Sequence, residues 1–273
     1  METTLSKRNP ESDWAVILGA SSGFGGATAR RLAKDGFNIF GFHLDRRNTM
    51  DAVEDTISAI EGHGQQALFF NANAADDDVR SQAIRDIIDF LGAEDFSGKV
   101  KVMLHSLAFG NLRSYVATDT EDSISPSQMD MTFTVMSHTL VYWARDLVEA
   151  GLMDDGGRIF AMTSAGSHRI WPHYGAVSAV KATLDTHVRR LAYELAPRGI
   201  TVNSIRAGVT DTPALKKIPG NLDLLDIARK NNPSGRLTTP EDVAEAISLL
   251  VDDRSYWITG NIIGVDGGED VVG

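Results

Sequence analysis

The sequence predicts an α/β fold in which one parallel sheet of about seven strands is covered by helices on both faces. Three observations lead there. Short apolar runs alternate with longer segments of helical period, the pattern of strands joined by helical crossovers. The apolar runs are continuous rather than alternating, as strands buried on both faces require. The first run ends in a glycine-rich turn that opens a helix.

The apolar runs place strands at 14–19, 38–43, 66–70, 100–105, 158–163, 201–205 and 261–265. Periodicity places helices near 24–35, 48–62, 76–91, 127–152, 172–196 and 240–252. No repeat, low-complexity tract or linker interrupts residues 14–273, so they read as a single domain. Residues 1–13 are polar, lack the apolar run of a signal peptide, and are expected to form a disordered tail. Residues 211–235 break the strand–helix rhythm: Pro213, Pro219 and Pro233 surround a short helical stretch at 222–230. An insertion of that length reads as a lid or binding loop.

Composition narrows the function. Apolar residues make up 42% of the 273, enough for a sizeable core, and the formal net charge is −11. That charge repels phosphates, so nucleic acid and anionic membranes are not expected partners. The chain has no cysteine, which excludes disulfides, thiolate catalysis and thiolate metal sites. No segment has the roughly 20 apolar residues of a membrane span, and a cytoplasmic location is expected.

The first turn carries the strongest signal. It reads Gly19-Ala20-Ser21-Ser22-Gly23-Phe24-Gly25-Gly26 between strand and helix. Glycine lets backbone approach a pyrophosphate, and the helix N-terminus offers free N–H groups and a positive dipole end. The same residues also spell the G-x-S-x-G elbow of serine hydrolases. An elbow needs an earlier strand for its oxyanion hole and a later acid–histidine pair, and neither stands out. The phosphate-binding reading makes this a doubly wound, Rossmann-type domain.

The spacing G-x-x-x-G-x-G resembles the short-chain dehydrogenase/reductase family, and the likeness extends over residues 14–270. It implies a nicotinamide cofactor held by Gly19, Ser21, Ser22, Gly23, Phe24 and Gly25. The family's acidic NAD position falls on His43, while Arg46 and Arg47 follow within reach of a 2′-phosphate. NADPH is therefore favoured over NADH, with solvated loop charges as the alternative reading of the two arginines. By the same resemblance Asn73 and Ala74 line the adenine. Ser106 belongs to the turn after the fourth strand. Gly208, Thr210 and Thr212 belong to the nicotinamide-contacting turn Ala207-Gly208-Val209-Thr210-Asp211-Thr212.

Tyr174 and Lys181 are seven apart on the helix near 172–196, so they project from one face about 10 Å apart along the axis. Most family members space tyrosine and lysine by four, a position held here by Val177. The wider spacing resembles the divergent enoyl-acyl-carrier-protein reductase branch. The run His105-Ser106-Leu107-Ala108-Phe109 and Ala207 before Gly208 resemble it too, and the intact glycine turn, Ser164 and Asp211-Thr212-Pro213-Ala214-Leu215 look closest to its NADPH-using variant of firmicutes-type bacteria. The resemblance implies that Tyr174 stabilises an enolate and that Lys181 binds the cofactor ribose. The substrate is then a 2-enoyl thioester on acyl-carrier protein or coenzyme A, and the protein a homotetramer. Ser164 stands where many enoyl reductases have a second tyrosine; it reads as a hydroxyl donor or as a loop cap. The family's relay asparagine falls on Thr134.

A carbonyl reductase or alcohol dehydrogenase of the same fold is the alternative, and a cofactor-sensing protein without catalysis is a third reading. Leu215, Ile218, Leu222, Leu224, Leu225 and Ile227 would let the lid cover an acyl chain or merely pack it down. Asp76-Asp77-Asp78 reads as a helix N-terminal charge cluster. His168 and His173 read as loop residues without metal-ligand spacing, and Met129, Met131 and Met136 as core or interface.

Overall fold

The computed structural model describes residues 13–93, 98–118 and 122–272. Seven strands, β1 (Asp13–Leu18), β2 (Asn38–His43), β3 (Ala67–Asn71), β4 (Lys99–His105), β5 (Arg158–Ser164), β6 (Thr201–Ala207) and β7 (Ile262–Val265), form one sheet in the order β3-β2-β1-β4-β5-β6-β7. Every pairing is parallel. The expected disordered tail lies outside the described residues except for Asp13, which opens β1.

Alternate side chains of each strand enter opposite cores. Trp14, Val16 and Leu18 of β1 join Phe40, Phe42, Val100 and Met103 on one face. There they meet α3 (Asp77–Ala93), α5 (Thr139–Glu149) and α6 (Gly175–Leu195). Ala15 and Ile17 join Ile39, Val102, Leu104 and Phe160 on the other. That face is covered by α1 (Gly23–Lys34), α2 (Met50–Glu61) and α8 (Pro240–Val251). Burial on both sides is why the strands read as unbroken apolar runs. Trp143 shows how closely a helix docks: its ring lies 4.6 Å from that of Phe42, and its Nε1–H donates to the Ala74 carbonyl at 2.8 Å.

One predicted element is different. The expected single helix at 127–152 is α4 (Pro126–Phe133), a π-helical turn at Thr134–His138, and α5. The Thr139 N–H bonds the Thr134 carbonyl across the wider turn, and the Thr139 hydroxyl donates to the same oxygen at 2.7 Å. Thr134, where the family's relay asparagine falls, thus opens this turn. Met136 of the turn packs with Val177 and Val180 of α6 in a third, small apolar cluster. The insertion at 211–235 holds α7 (Asn221–Asn231), and α9 (Glu269–Val272) ends the described chain.

Strand order reverses between β1 and β4, so the crevice beyond their C-terminal ends is where an open α/β sheet takes its ligand. His105, the last residue of β4, is fully buried there, and neither ring nitrogen meets a partner at hydrogen-bonding geometry. Burial, with the nearby Lys181 ammonium, pushes its pKa from 6.5 down to about 3. Between those values the unfolded chain binds a proton that the native protein refuses, so stability falls as pH drops below 6.5. At about pH 5 the loss from this one ring is about 2 kcal/mol. Urea unfolding should show a smaller loss of stability between neutral pH and about pH 5 in His105→Leu than in the wild type; equal losses would show that His105 is not the group responsible.

Candidate functional site

The crevice is built from the ends of β1, β4, β5 and β6. Gly19 follows β1 with φ +91°, and a Cβ there would stand 2.5 Å from the Ser106 carbonyl oxygen. A Cβ on Gly25 would stand 2.0 Å from the Gly19 carbonyl oxygen. Only glycine allows this close stacking of the first turn on α1 and on the loop after β4. Ser22 caps α1 in an extended conformation and makes no side-chain cap bond, which leaves first-turn N–H groups open to a ligand. Phe24 packs against the core beneath the turn, and Ser21 is half-buried beside it. Thr212 closes the cradle from the far side: its methyl would lie 3.7 Å from a Cβ on Gly23. The Thr210 hydroxyl donates to the Gly208 carbonyl at 2.9 Å, and the Thr212 hydroxyl accepts from the Leu215 N–H at 3.2 Å. The tight glycine cradle and the uncapped helix end fit the diphosphate of a dinucleotide.

At the end of β2, Arg46 and Arg47 are exposed and have no ion-pair partner among the described residues. Asp45, the acidic residue of the same stretch, turns back toward the first turn. Its carboxylate lies 3.1 Å from His43 Nδ1 and accepts from the hydroxyls of Ser21 and Thr49. Those hydrogen bonds outweigh its burial and hold its carboxyl below the usual range. Asn73 uses its side chain to close its own turn, accepting from the Ala75 N–H at 3.1 Å, while Ala74 is buried next to it.

Tyr174 and Lys181 converge on the last residues of β5. The spacing predicts both on one helix, but α6 begins at Gly175 and Tyr174 is its N-cap residue. His173, just before it, adopts the left-handed conformation at φ +60°. The Tyr174 hydroxyl hydrogen-bonds Ser164, and burial pushes its pKa up while the Ser164 bond works the other way. Ser164 Oγ also accepts from the Gly166 N–H at 3.1 Å and so caps its loop, one of the two roles that the sequence left open. Lys181 is buried, donates to the Met162 carbonyl at 2.6 Å, and is pushed by burial down to a pKa of about 8 against the pull of Asp185. Val177, between them in sequence, is buried in the small apolar cluster that also receives the Tyr174 ring.

Sequence reasoning missed the outer wall. A cleft of about 790 Å³ is lined by Leu112, Arg113, Ser114, Ala117, Thr118, Asp122 and His173. Loop residues 111–118 carry no periodic signal that could have marked them. Across the site, the 211–235 insertion buries Leu215 but leaves Leu222 and Ile227 exposed. No helix among the described residues is long and apolar enough to cross a membrane.

Comparison with known proteins agrees with this geometry. A family model described as enoyl-(acyl carrier protein) reductase matches residues 19–269. Enoyl-[acyl-carrier-protein] reductase [NADH] 1 of Rhizobium meliloti is 33% identical over 72% of this chain and 70% of its own length. Cyclohexanol dehydrogenase of a Rhodococcus species is 30% identical over 93% of this chain and 94% of its own. The crystal structure of the Aquifex aeolicus enoyl-[acyl-carrier-protein] reductase (NADH) superposes with a TM-score of 0.78 at 23% identity, over 97% of this chain and 99% of that one, and shares its fold. A match that runs from the first glycine turn to α9 makes this chain a nicotinamide-dependent oxidoreductase that belongs to the enoyl-(acyl carrier protein) reductase family of short-chain dehydrogenase/reductases.

Proposed function

We propose that the protein reduces the carbon–carbon double bond of a 2-enoyl thioester carried on acyl-carrier protein or coenzyme A, with NADPH as the preferred reductant. The observation that carries this reading is the relation of Tyr174 to Val177. The hydroxyl that reaches Ser164 comes from Tyr174, seven residues before Lys181, while the position four before Lys181 is a valine buried among apolar side chains. That arrangement is the one seen in the sequence pattern of enoyl reductases. The family resemblance extends the proposal to a homotetramer acting in the cytoplasm.

The glycine turn and the uncapped end of α1 would hold a reduced nicotinamide dinucleotide, which when bound would supply a hydride to the β-carbon and leave negative charge on the thioester oxygen. Tyr174, kept protonated by its raised pKa, donates a hydrogen bond to that oxygen. The Lys181 ammonium adds positive potential nearby and has donors to spare for ribose hydroxyls. A proton delivered to the α-carbon completes the reduction. Leu222 and Ile227, exposed on the lid helix, would cover the acyl chain.

Two observations favour rival details. Ser164 hydrogen-bonded to Tyr174 is also what ketone reduction would use, and one relative is an alcohol dehydrogenase. Asp45 beside Ser21 would suit a ribose hydroxyl and so NADH. Consumption of NADPH or NADH with a 2-enoyl thioester against a 3-oxoacyl thioester decides both: oxidation with the oxo substrate alone overturns the proposal.

Tyr174→Phe should lower kcat on the enoyl thioester by about 100-fold or more while coenzyme affinity holds; unchanged turnover would remove Tyr174 from the chemistry. Replacing Arg46 and Arg47 together by alanine should weaken NADPH binding by about tenfold and NADH binding much less, as read by nicotinamide fluorescence; equal losses would refute a phosphate site. Because Lys181 loses its charge above a pKa of about 8, coenzyme affinity should fall from neutral pH to about pH 9. A flat profile would mean that the ammonium charge does not contribute to binding.

A further inference from the structure

The last described turn of the chain gathers the loops around the crevice. Asp266 closes that turn on itself, its carboxylate accepting from the Gly268 N–H at 2.9 Å and the Asp270 N–H at 3.2 Å. The two carboxylates that follow each reach a different loop. Glu269 accepts from the Val209 N–H through both oxygens, at 3.2 and 3.1 Å. Val209 lies between Gly208 and Thr210, in the turn after β6. Asp270 receives two guanidiniums and an imidazole. Its Oδ1 lies 3.0 Å from His168 Nε2 and 2.8 Å from Arg169, and its Oδ2 lies 3.0 Å from Arg206. His168 and Arg169 belong to the loop that runs from Ser164 to Tyr174, and Arg206 to the end of β6. The Asp270 side chain is only 12% exposed, so these bonds are poorly screened by solvent. The lid ends on the same segment: Asn232 donates to the Asp266 carbonyl at 2.8 Å and Ser234 to the Gly267 carbonyl at 3.1 Å.

We infer that Glu269 and Asp270 are positioning residues: Glu269 orients the 208–210 backbone against the nicotinamide end of the coenzyme, and Asp270 orients the loop that delivers Tyr174. The inference rests on the function proposed above for what those loops do. A peptide N–H engaged by a carboxylate cannot rotate its plane, so the neighbouring carbonyl and N–H groups present a fixed face to a ligand. Bonds from His168 and Arg169 to one carboxylate, itself anchored to Arg206 of β6, restrain the loop before Tyr174, where His173 already holds a left-handed backbone.

The test uses the full chain with Glu269→Ala, Glu269→Gln, Asp270→Ala and Asp270→Asn. Folding is checked by circular dichroism and Tm. Dissociation constants for NADPH and NADH come from nicotinamide fluorescence, without acyl substrate. Glu269→Ala should weaken both coenzymes by about tenfold, while Glu269→Gln, which keeps an oxygen acceptor, should stay within about threefold of wild type. Asp270→Ala and Asp270→Asn should lower kcat by about tenfold with a smaller change in KM, because a neutral side chain cannot satisfy two guanidiniums. Wild-type coenzyme affinity in a folded Glu269→Ala protein, or equal damage from Glu269→Gln, would overturn the role of Glu269. Wild-type kcat in Asp270→Asn would overturn that of Asp270. If the alanine variants do not fold, the glutamine and asparagine variants decide: unchanged kcat in Asp270→Asn or weakened coenzyme binding in Glu269→Gln overturns the inference. Coenzyme affinity is read without thioester, and kcat with whichever thioester the protein reduces, so failure of the enoyl assignment stays separate from failure of this one.

Discussion

The Lys181 ammonium is buried between α6 and β5, and much of the site depends on keeping it there. Taking a cation out of water costs several kcal/mol unless it is paired and hydrogen-bonded. One donor goes to the Met162 carbonyl at 2.6 Å. Asp185, one helical turn on, supplies the opposing charge and is itself held by the Ser204 hydroxyl of β6 at 2.8 Å. Helix α6 is thereby locked against two adjacent strands at a defined height. An ammonium has three donors, and the other two have no protein partner among the described residues. A fold that keeps an incompletely satisfied cation at the mouth of its ligand crevice is arranged for a ligand that completes it. His105 follows as a consequence: beside that charge and out of water it stays neutral, so β4 can end against the site without a second cation.

Tyr174 depends on the same locked helix but sits just outside it. As N-cap residue it is aimed by its own backbone and by the loop that precedes it, rather than by helical geometry. The fit is close. A Cβ on Gly166 would stand 2.6 Å from the Tyr174 ring, so the loop must have glycine there for the ring to lie over it. The strain at His173 persists because neighbouring residues are tied down: Arg169 to Asp270, and Ser164 to the Gly166 N–H. Lysine on the helix and tyrosine on its threshold meet β5 two residues apart, at Met162 and Ser164. That is roughly 7 Å along a strand, a span that one substrate oxygen and one ribose can share.

How much of this was legible in the sequence follows from the range of the contacts involved. The inner strands could be read because they are buried on both faces, and burial is written locally as an unbroken apolar run. The glycine turn, Tyr174 and Lys181 could be read because the chemistry demands those residue types at short, fixed spacing. The π-helical turn could not, since residues 134–138 have ordinary helical character and the wider turn is stabilised by the Thr139 hydroxyl and by packing on α6. Asp45 was overshadowed by the arginines beside it; only the fold brings Ser21 to its carboxylate. Glu269 acts on a residue 60 positions away and Asp270 on Arg169 and His168, 101 and 102 positions away, and on Arg206 of β6, and no local pattern announces such contacts.

The direction of the chemistry is encoded in the same electrostatics. Oxidising an alcohol through Tyr174 would require its phenolate as base, and burial pushes the phenol pKa upward. Lys181 would counter this as a cation, yet its own pKa has fallen to about 8, so its help fades in the range where a phenolate would form. Reduction has the opposite need. The protonated phenol is the donor required by an oxygen gaining negative charge, and it is stable across the neutral range. Ser164 opposes that state only in part: its hydrogen bond to the Tyr174 oxygen favours the phenolate, but burial outweighs it, and the phenol hydrogen is left for substrate. The buried environment that makes Tyr174 a poor base would suit it to hold the enolate oxygen of the proposed reaction.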